Sequence, residues 1–356
     1  MKNNKTEGEK FNVDYLKKSK NQYISIFFIL FLVLIATFIL CIILGSVDIK
    51  ISEVFKIILS KDKKVFEHGP IVWDIRFPRV LATLVGGAAL SVAGLLLQIF
   101  FKNPIVEPFV LGISSGAILF VGLVMLGGMS LGAKTISPYT VFFAALTGSL
   151  LVTFIVIMFA TRVKSAITLL VIGLMVGYVC SAVTSILITF ADKEKVIGFT
   201  LWTMGSFSGF TWKKMQVLLM MGIPTMIASL FMVKPLNAFL MGEDYATSMG
   251  VNIKAFRVGI VVISSVLAAS VTAFAGPVAF IGLAVPHISR MVFKTSENKI
   301  LIPGTILLGG IITSLCDLIS RTVFAPVEIP ISAITSVFGA PVVILLILKN
   351  NKKSSL

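Results

Sequence analysis

The chain has 356 residues, of which 57% are hydrophobic and only 13% are charged, and its formal net charge is +15. A soluble globular domain carries roughly 25% charged residues, so this composition excludes a soluble enzyme, a disordered protein and a coiled coil. The remaining class is a polytopic membrane protein, whose excess of lysine and arginine reflects topology and contact with anionic membrane lipid rather than nucleic-acid binding.

Ten stretches of at least 17 residues contain no Asp, Glu, Lys or Arg. They are 21–47, 80–101, 108–133, 135–161, 165–191, 196–212, 215–233, 258–289, 300–316 and 329–348. An apolar stretch of about 20 residues crosses a membrane as a helix, because only a helix satisfies its own backbone in lipid. Segment 196–212 is short and rich in Gly, Ser and Thr, so we interpret it as a surface or re-entrant piece. Segment 258–289 is broken at Gly276-Pro277 and holds two helices, so the sequence predicts an all-α membrane protein with ten transmembrane helices.

The remaining segments predict the arrangement around these helices. Residues 1–22 are expected to form a basic cytoplasmic tail, and residues 23–350 a single ten-helix transmembrane domain. Segment 47–75 has apolar residues at helical spacing, which predicts an amphipathic helix on the outer membrane surface. Segment 234–256 is too polar to cross a membrane and predicts two short cytoplasmic helices separated near Gly242. Lys and Arg number 18 on the side of the N-terminus against 13 on the other, so both termini are expected in the cytoplasm.

Catalytic and metal-binding motifs are absent from the sequence. No G-x-x-x-x-G-K-[ST] segment occurs, so the chain does not bind nucleotide through a P-loop. Cys41, Cys180 and Cys316 stand singly inside apolar stretches, and the two histidines, His68 and His287, lie far apart in the chain. We therefore expect no disulfide, no metal site, no cofactor and no catalytic residue.

Acidic residues are also nearly missing from the predicted spans, although ion-coupled transporters usually hold a carboxylate inside the membrane. The only near-candidate is Asp317, close to the outer end of the ninth helix. Arg321 stands four residues later, so a local ion pair is the simplest role for this acid. The sequence therefore favours a transporter that receives its energy from a partner. Segment 234–256 suits contact with such a soluble partner, and a helix lying on the membrane surface is the alternative.

Seven blocks of sequence, in order between residues 70 and 350, together resemble one transporter family. The blocks are Ile75-Arg76-Phe77-Pro78-Arg79; Asn103-Pro104 with Glu107-Pro108; Leu111-Gly112-Ile113-Ser114-Ser115-Gly116-Ala117; Trp202-Thr203-Met204-Gly205-Ser206-Phe207-Ser208-Gly209; Leu240-Met241-Gly242-Glu243-Asp244-Tyr245-Ala246-Thr247-Ser248-Met249-Gly250-Val251; Ala275-Gly276-Pro277 with Phe280-Ile281-Gly282-Leu283-Ala284-Val285-Pro286-His287; and Asp317, Arg321, Glu328-Ile329-Pro330 with Gly339-Ala340-Pro341. The chain resembles the permease subunits of the ATP-binding cassette (ABC) importers for iron chelates, haem and cobalamin. It departs from the family pattern at Phe77, Met241 and Met249, where Leu is usual.

The resemblance implies a fold, an assembly and functional residues. Family members have the type II importer permease fold and pair with a second permease subunit, identical or related. Two cytoplasmic ATPase subunits dock on the loop that corresponds to 236–252, and an extracytoplasmic binding lipoprotein docks on the outer face. Docking of the binding protein is implied for Arg76, Arg79 and Arg321. Contact with the ATPases is implied for the loop residues Leu240, Gly242, Glu243, Ala246 and Gly250.

The resemblance also bears on the path of the substrate. The resemblance places the fifth and tenth helices along the path, and Tyr178, Thr184 and Ser185 are candidate lining residues on the fifth helix. We expect a permease of the cytoplasmic membrane that imports an iron(III)-siderophore or related iron chelate and is not itself an enzyme. The alternatives are import of haem or cobalamin and, in a different class, an ion-coupled secondary transporter.

Overall fold

The computed structural model describes residues 3–60, 66–127, 137–163 and 165–354, and every regular element within these ranges is helical. The helices are α1 (Asn3–Ile43), α2 (Ile51–Leu59), α3 (Phe77–Phe100), α4 (Ile113–Met125), α5 (Pro138–Ala160), α6 (Ala166–Phe190), α7 (Lys193–Thr203), α8 (Trp212–Phe231), α9 (Val233–Leu240), α10 (Glu243–Ser248), α11 (Ile253–Ala275), α12 (Ile281–Phe293), α13 (Asn298–Thr322) and α14 (Ile331–Ser354). A π-helical turn, Ile71–Arg76, leads directly into α3, and a 3-10 turn, Pro108–Leu111, precedes α4.

Within the described residues, ten apolar helices correspond to the ten predicted spans. Seven are long enough to cross a membrane alone: the Asn21–Ile43 part of α1, α3 with its preceding turn, α5, α6, α8, α11 and α13. Three are shorter, namely α4, α12 and the Ile331–Ile344 part of α14. The prediction of an all-α membrane protein with ten helices is therefore confirmed.

The elements between the spans also follow the predicted pattern. The predicted amphipathic helix is α2, whose buried Val54 and Ile57 belong to a cluster with residues of α1. Segment 196–212 holds the larger part of the short helix α7 and an irregular stretch, and it is not among the described helices that are long and apolar enough to cross a membrane. The end of stretch 108–133 falls on residues 128–136, which lie outside the described residues.

The Gly276-Pro277 break separates α11 from α12, as predicted. Gly276 has a φ of +70°, which favours glycine, and a Cβ there would lie 2.4 Å from the carbonyl oxygen of Trp202. The Ser206 amide donates to the Ala275 carbonyl oxygen at 2.7 Å, so the segment after α7 satisfies backbone that the break exposes.

Helix α3 runs through the centre of the protein, and almost all of its residues are buried. It packs against α11, α12 and α13 with backbones in close contact. A Cβ atom added to Gly94 would lie 1.8 Å from the carbonyl oxygen of Gly282 in α12. A Cβ atom added to Gly87 would lie 2.4 Å from the carbonyl oxygen of Gly309 in α13. Because lipid provides no hydrophobic drive between helices, such close packing of small residues holds the bundle together.

The substitution Gly94→Ala is expected to remove most of the folded protein from the membrane. The added methyl group meets backbone rather than a flexible side chain, so we expect a destabilisation at or above about 3 kcal/mol. The matched control is Gly198→Ala, whose Cβ would lie 3.6 Å from Met125 Cε, an ordinary contact. The measurement is the amount of monodisperse protein after detergent extraction, and equal yields for the two variants would contradict the prediction.

The two ends of the bundle carry different elements. Helices α9 and α10 lie at one end, where Phe239 stacks on Phe100 at the end of α3. We call this end the α9–α10 face. The opposite end carries α2 and the start of α8, where the Trp212 indole donates to the Trp73 carbonyl oxygen at 2.8 Å. We call this end the α2–α8 face.

Candidate functional site: charge network, polar loop and exposed helix face

Arg79 is the centre of a buried charge network at the α2–α8 face. Its Nε and Nη2 atoms donate to the Asp317 carboxylate of α13 at 3.0–3.1 Å, and its Nη1 donates to Glu328 Oε1 at 2.7 Å. Arg79 and Asp317 are buried, whereas a third of the Glu328 side chain is exposed. The Arg321 Nε lies 3.6 Å from Asp317 Oδ2, so the predicted local pair exists but is the longer of the two.

Arg76 and Arg321 bind the C-terminal end of α1 from two sides. Arg76 Nη1 donates to the carbonyl oxygens of Ile42 and Ile43 at 2.8 and 2.6 Å. Arg321 Nη2 donates to the Cys41 carbonyl oxygen. The last carbonyls of a helix lack partners within it and form the negative end of its dipole. The two guanidinium groups therefore cap α1 and connect it to the π-helical turn before α3, which carries Arg76, and to α13, which carries Arg321.

The structure thus brings the three predicted docking arginines together at one face. It also buries all three, at 3–5% exposure, and engages each with groups of this chain. The accessible member of the network is an acid, Glu328, which the docking prediction did not include. Its bond to Arg79 joins residues 249 positions apart, so no local spacing in the sequence could have indicated it.

The polar segment 234–256 forms the two short helices α9 and α10, as predicted. Gly242 and Gly250 follow their last turns with φ of +130° and +82°, which are conformations that favour glycine. Leu236, Phe239 and Ala246 are buried and anchor the segment to the bundle. The outward side keeps large apolar side chains exposed: Leu240, Met241, Tyr245 and Met249.

Glu243 connects this segment to two spans. Its Oε1 accepts from Arg257 Nη2 at 2.7 Å, and Arg257 Nη1 donates to the Val163 carbonyl oxygen after α5 at 2.6 Å. Arg257 is buried near the start of α11, whereas almost half of the Glu243 side chain is exposed. Arg257 therefore connects α10 to α11 and to the end of α5.

Helix α6 presents a polar stripe on a face that the chain leaves uncovered. Tyr178, Ser181, Ser185 and Thr189 are all exposed and follow one another at helical spacing. The Ser185 hydroxyl donates to the Ser181 carbonyl oxygen, and the Thr189 hydroxyl to that of Ser185. The stripe contains two predicted lining residues, Tyr178 and Ser185. The third, Thr184, is buried and donates to the Cys180 carbonyl oxygen, so the structure gives it no exposed side.

The other residues considered in the sequence have structural contacts. His287 Nε2 lies 2.8 Å from the Pro104 carbonyl oxygen, a contact between α12 and the turn after α3. The three cysteines are free and buried. Among the described residues, no group of three His, Cys, Asp or Glu side chains is arranged to hold a metal ion.

Comparisons with known proteins agree with one family. The model of the FecCD transport family matches residues 32–349. The vitamin B12 import system permease protein BtuC of Salmonella typhimurium is 36% identical over 279 residues, which cover 78% of this chain and 84% of that protein. Its counterpart from Salmonella typhi is 35% identical over the same length. A solved structure of a metal-chelate type ABC transporter in an inward-facing conformation matches with a TM-score of 0.80, 28% identity, and coverage of 91% of this chain and 99% of that one.

The alternative of an ion-coupled secondary transporter is wrong. The family match covers most of the chain, and the one acid that stood near a span, Asp317, is engaged by Arg79. A permease of this kind works with ATPase, permease and binding-protein partners, and it is not itself catalytic. The chain belongs to the FecCD transport family and is a multi-pass membrane permease subunit of an ABC importer.

Proposed function

We propose that this permease imports an iron(III)-siderophore or a related iron chelate across the cytoplasmic membrane. The observation that carries the proposal is the polar stripe of α6, because hydroxyl groups on an uncovered helix face are better placed along a solvated path than against lipid. The stripe holds no charged side chain, so it suits a large polar ligand that passes without a strong ionic contact. The solved metal-chelate type transporter supports the same ligand class.

Import of cobalamin is the second candidate, and a specific observation favours it. The vitamin B12 permeases named above are 35–36% identical to this chain, more than the metal-chelate type transporter. Both ligands are bulky metal complexes, so both suit the same path. Haem remains a third ligand of this chemical class.

An uptake assay separates these ligands. The permease is produced with its ATPase and binding protein in cells that lack their own chelate importers, and uptake of iron-labelled siderophore, labelled cobalamin and labelled haem is compared. We expect ATP-dependent uptake of the ferric siderophore. Uptake of cobalamin or haem alone would overturn the iron assignment and leave the importer family untouched.

The substitution Ser185→Trp is expected to block uptake without loss of folded protein. The indole extends from the exposed stripe of α6 into the proposed path, where it obstructs a bulky ligand. The matched control is Ile227→Trp on the exposed apolar side of α8, which is expected to transport normally. Labelled uptake per unit of permease in the membrane is the measurement, and equal uptake by both variants would remove α6 from the path.

The orientation and the assembly are part of the same proposal. Both termini and the α9–α10 face lie in the cytoplasm, where two ATPase subunits contact Leu240, Gly242, Glu243 and Gly250. Ala246, the fifth residue of the predicted set, is buried and supports this surface from the side of the bundle. The exposed apolar side chains of this segment and its fixed attachment to α11 support such a contact. A second permease subunit stands opposite the exposed face of α6, so that the substrate path runs between the two subunits, and the binding lipoprotein docks on the α2–α8 face.

Docking on the arginines requires an exchange of partners, because Arg76, Arg79 and Arg321 are buried and engaged. The most accessible partner is Glu328, a third of whose side chain is exposed and which accepts from Arg79 Nη1 and Nη2 at 2.7 and 3.1 Å. We propose that an acidic side chain of the binding protein replaces Glu328 on the Arg79 guanidinium group. Charge pairs of this kind set orientation and association rate, and they weaken with salt.

Glu328→Gln is therefore expected to raise the affinity of the permease for its binding protein, since it removes the competing charge. The comparison is Glu297→Gln, an exposed acid near the start of α13 at the opposite end of the bundle. Surface plasmon resonance at low and high salt measures the affinities. If Glu328→Gln binds with wild-type affinity, the exchange of partners at Arg79 does not occur.

A further inference from the structure

A polar cavity of about 340 Å³ opens at the α9–α10 face, between the ends of α3, α12 and α13. The end of α3 contributes Gln98 and Lys102, α12 contributes Arg290, and Asn298 is the first residue of α13. Leu240 of α9 closes one side. The cavity is separate from the polar stripe of α6 and from the charge network at Arg79.

Two cations, Lys102 and Arg290, line this cavity. Arg290 Nη1 donates to Gln98 Oε1 at 2.9 Å, and Gln98 in turn is fixed by its amide, which donates to the Leu283 carbonyl oxygen at 3.1 Å. Lys102 Nζ lies 5.3 Å from the centre of the Phe239 ring. Among the described residues, no carboxylate lies within 4.0 Å of either cation. Two uncompensated positive charges at the rim of a bundle attract an anion.

Asn298 adds a buried polar group that lacks a partner. Its side chain is fully buried, and its Nδ2 donates to Asn237 Oδ1 at 2.7 Å. Its Oδ1 has no hydrogen-bond donor within the described structure. A buried acceptor without a donor costs free energy, so a bound hydroxyl group would satisfy it. Asn298 also begins α13, and the start of a helix favours negative charge.

We propose that this cavity binds a phosphate group. The phosphate oxygens accept from Arg290 and Lys102, and a hydroxyl group attached to or near the phosphorus donates to Asn298 Oδ1. Two sources offer this chemistry: the phosphoglycerol headgroup of an anionic membrane lipid and a soluble phosphate. Basic pockets between membrane helices near the membrane surface are suited to lipid headgroups, and Ile99 and Leu301 give this cavity an apolar side for the glycerol backbone.

The test uses the full-length permease and three substitutions that each remove one positive charge. Lys102→Gln and Arg290→Gln change the cavity, and Lys254→Gln changes an exposed lysine of the same face that does not line it. Each protein is placed in nanodiscs of phosphatidylglycerol and phosphatidylcholine in equal amounts, extracted and washed, and the retained lipid is counted by native mass spectrometry. A second arm measures binding of radiolabelled inorganic phosphate in nanodiscs of phosphatidylcholine alone.

We expect the wild type and Lys254→Gln to retain phosphatidylglycerol in preference to phosphatidylcholine. Each cavity variant is expected to retain about fivefold less phosphatidylglycerol than the wild type, because one cation near the membrane surface contributes about 1 kcal/mol to the binding of an anionic lipid. Binding of inorganic phosphate that both cavity variants lose would identify the soluble source. The proposal is overturned if neither probe distinguishes the cavity variants from Lys254→Gln. Lys102 is exposed, so Lys102→Gln is expected to fold normally. This variant therefore tests phosphate binding in the cavity even if Arg290→Gln does not stay monodisperse.

Discussion

The substitution Arg79→Gln is expected to destabilise the permease by about 3–5 kcal/mol, because it leaves the buried Asp317 carboxylate without its main partner. The loss should extend to α1, since Asp317 would then draw Arg321 away from the Cys41 carbonyl oxygen that it caps. The temperature at which half of the purified protein remains monodisperse measures the effect.

Two further variants show whether the buried charge is the cause. Arg162→Gln removes an exposed arginine and is expected to leave the stability unchanged. The double variant Arg79→Gln, Asp317→Asn removes both charges of the closer buried pair, and Arg321 keeps its bond to the Cys41 carbonyl oxygen, so the variant is expected to recover part of the stability lost in the single variant. A double variant less stable than Arg79→Gln would show that shape, not charge, governs this contact.

The substitution Glu243→Arg is expected to uncouple ATP hydrolysis from transport. It places a positive charge opposite the buried Arg257, so α10 loses its connection to α11 and to the end of α5. Because the Glu243 side chain is nearly half exposed, the variant is expected to insert and fold. In proteoliposomes with the ATPase subunits, we expect continued hydrolysis and a loss of most of the substrate uptake.

The control for this effect is charge reversal at an exposed acid of the same face, Glu297→Arg, which is expected to transport normally. The exchange Glu243→Arg, Arg257→Glu restores an ion pair with reversed polarity and should recover part of the uptake. Gly250→Trp provides a separate test, because its backbone has a φ of +82° that a tryptophan adopts with strain. Normal coupling in both Glu243→Arg and Gly250→Trp would remove this segment from the coupling site.

The number and type of elements could be predicted because the membrane imposes a strong local rule. A span must be apolar over about 20 residues, so stretches without charge identify helices one by one. The break between α11 and α12 was predictable for a similar reason, since Gly and Pro next to each other both disfavour a continuous helix. The ends of α9 and α10 followed from glycine, which provides the left-handed conformation after a helix.

Side-chain partners could not be predicted in the same way. A spacing of four residues indicated Arg321 as the partner of Asp317, and the structure gives the shorter contact to Arg79, 238 residues away. The family resemblance implied a docking surface at Arg76, Arg79 and Arg321, and it could not indicate that Arg76 and Arg321 also cap α1. Thr184 and Ser185 are neighbours in the sequence, but one is buried and the other lies on the exposed stripe.

The sequence by itself determined the class, the ten spans, the short polar helices and the family, because each depends on hydropathy, glycine or motifs that are contiguous in the chain. The tertiary structure alone decided which charges meet, which face of α6 is uncovered, and that Arg290 and Lys102 share a cavity without an acid. The physical reason is that the rotation and packing of each helix are set by close contacts between distant segments, such as the contact of Gly94 with the Gly282 backbone. Such contacts produce no periodic pattern in the local sequence, so the sequence could not indicate them.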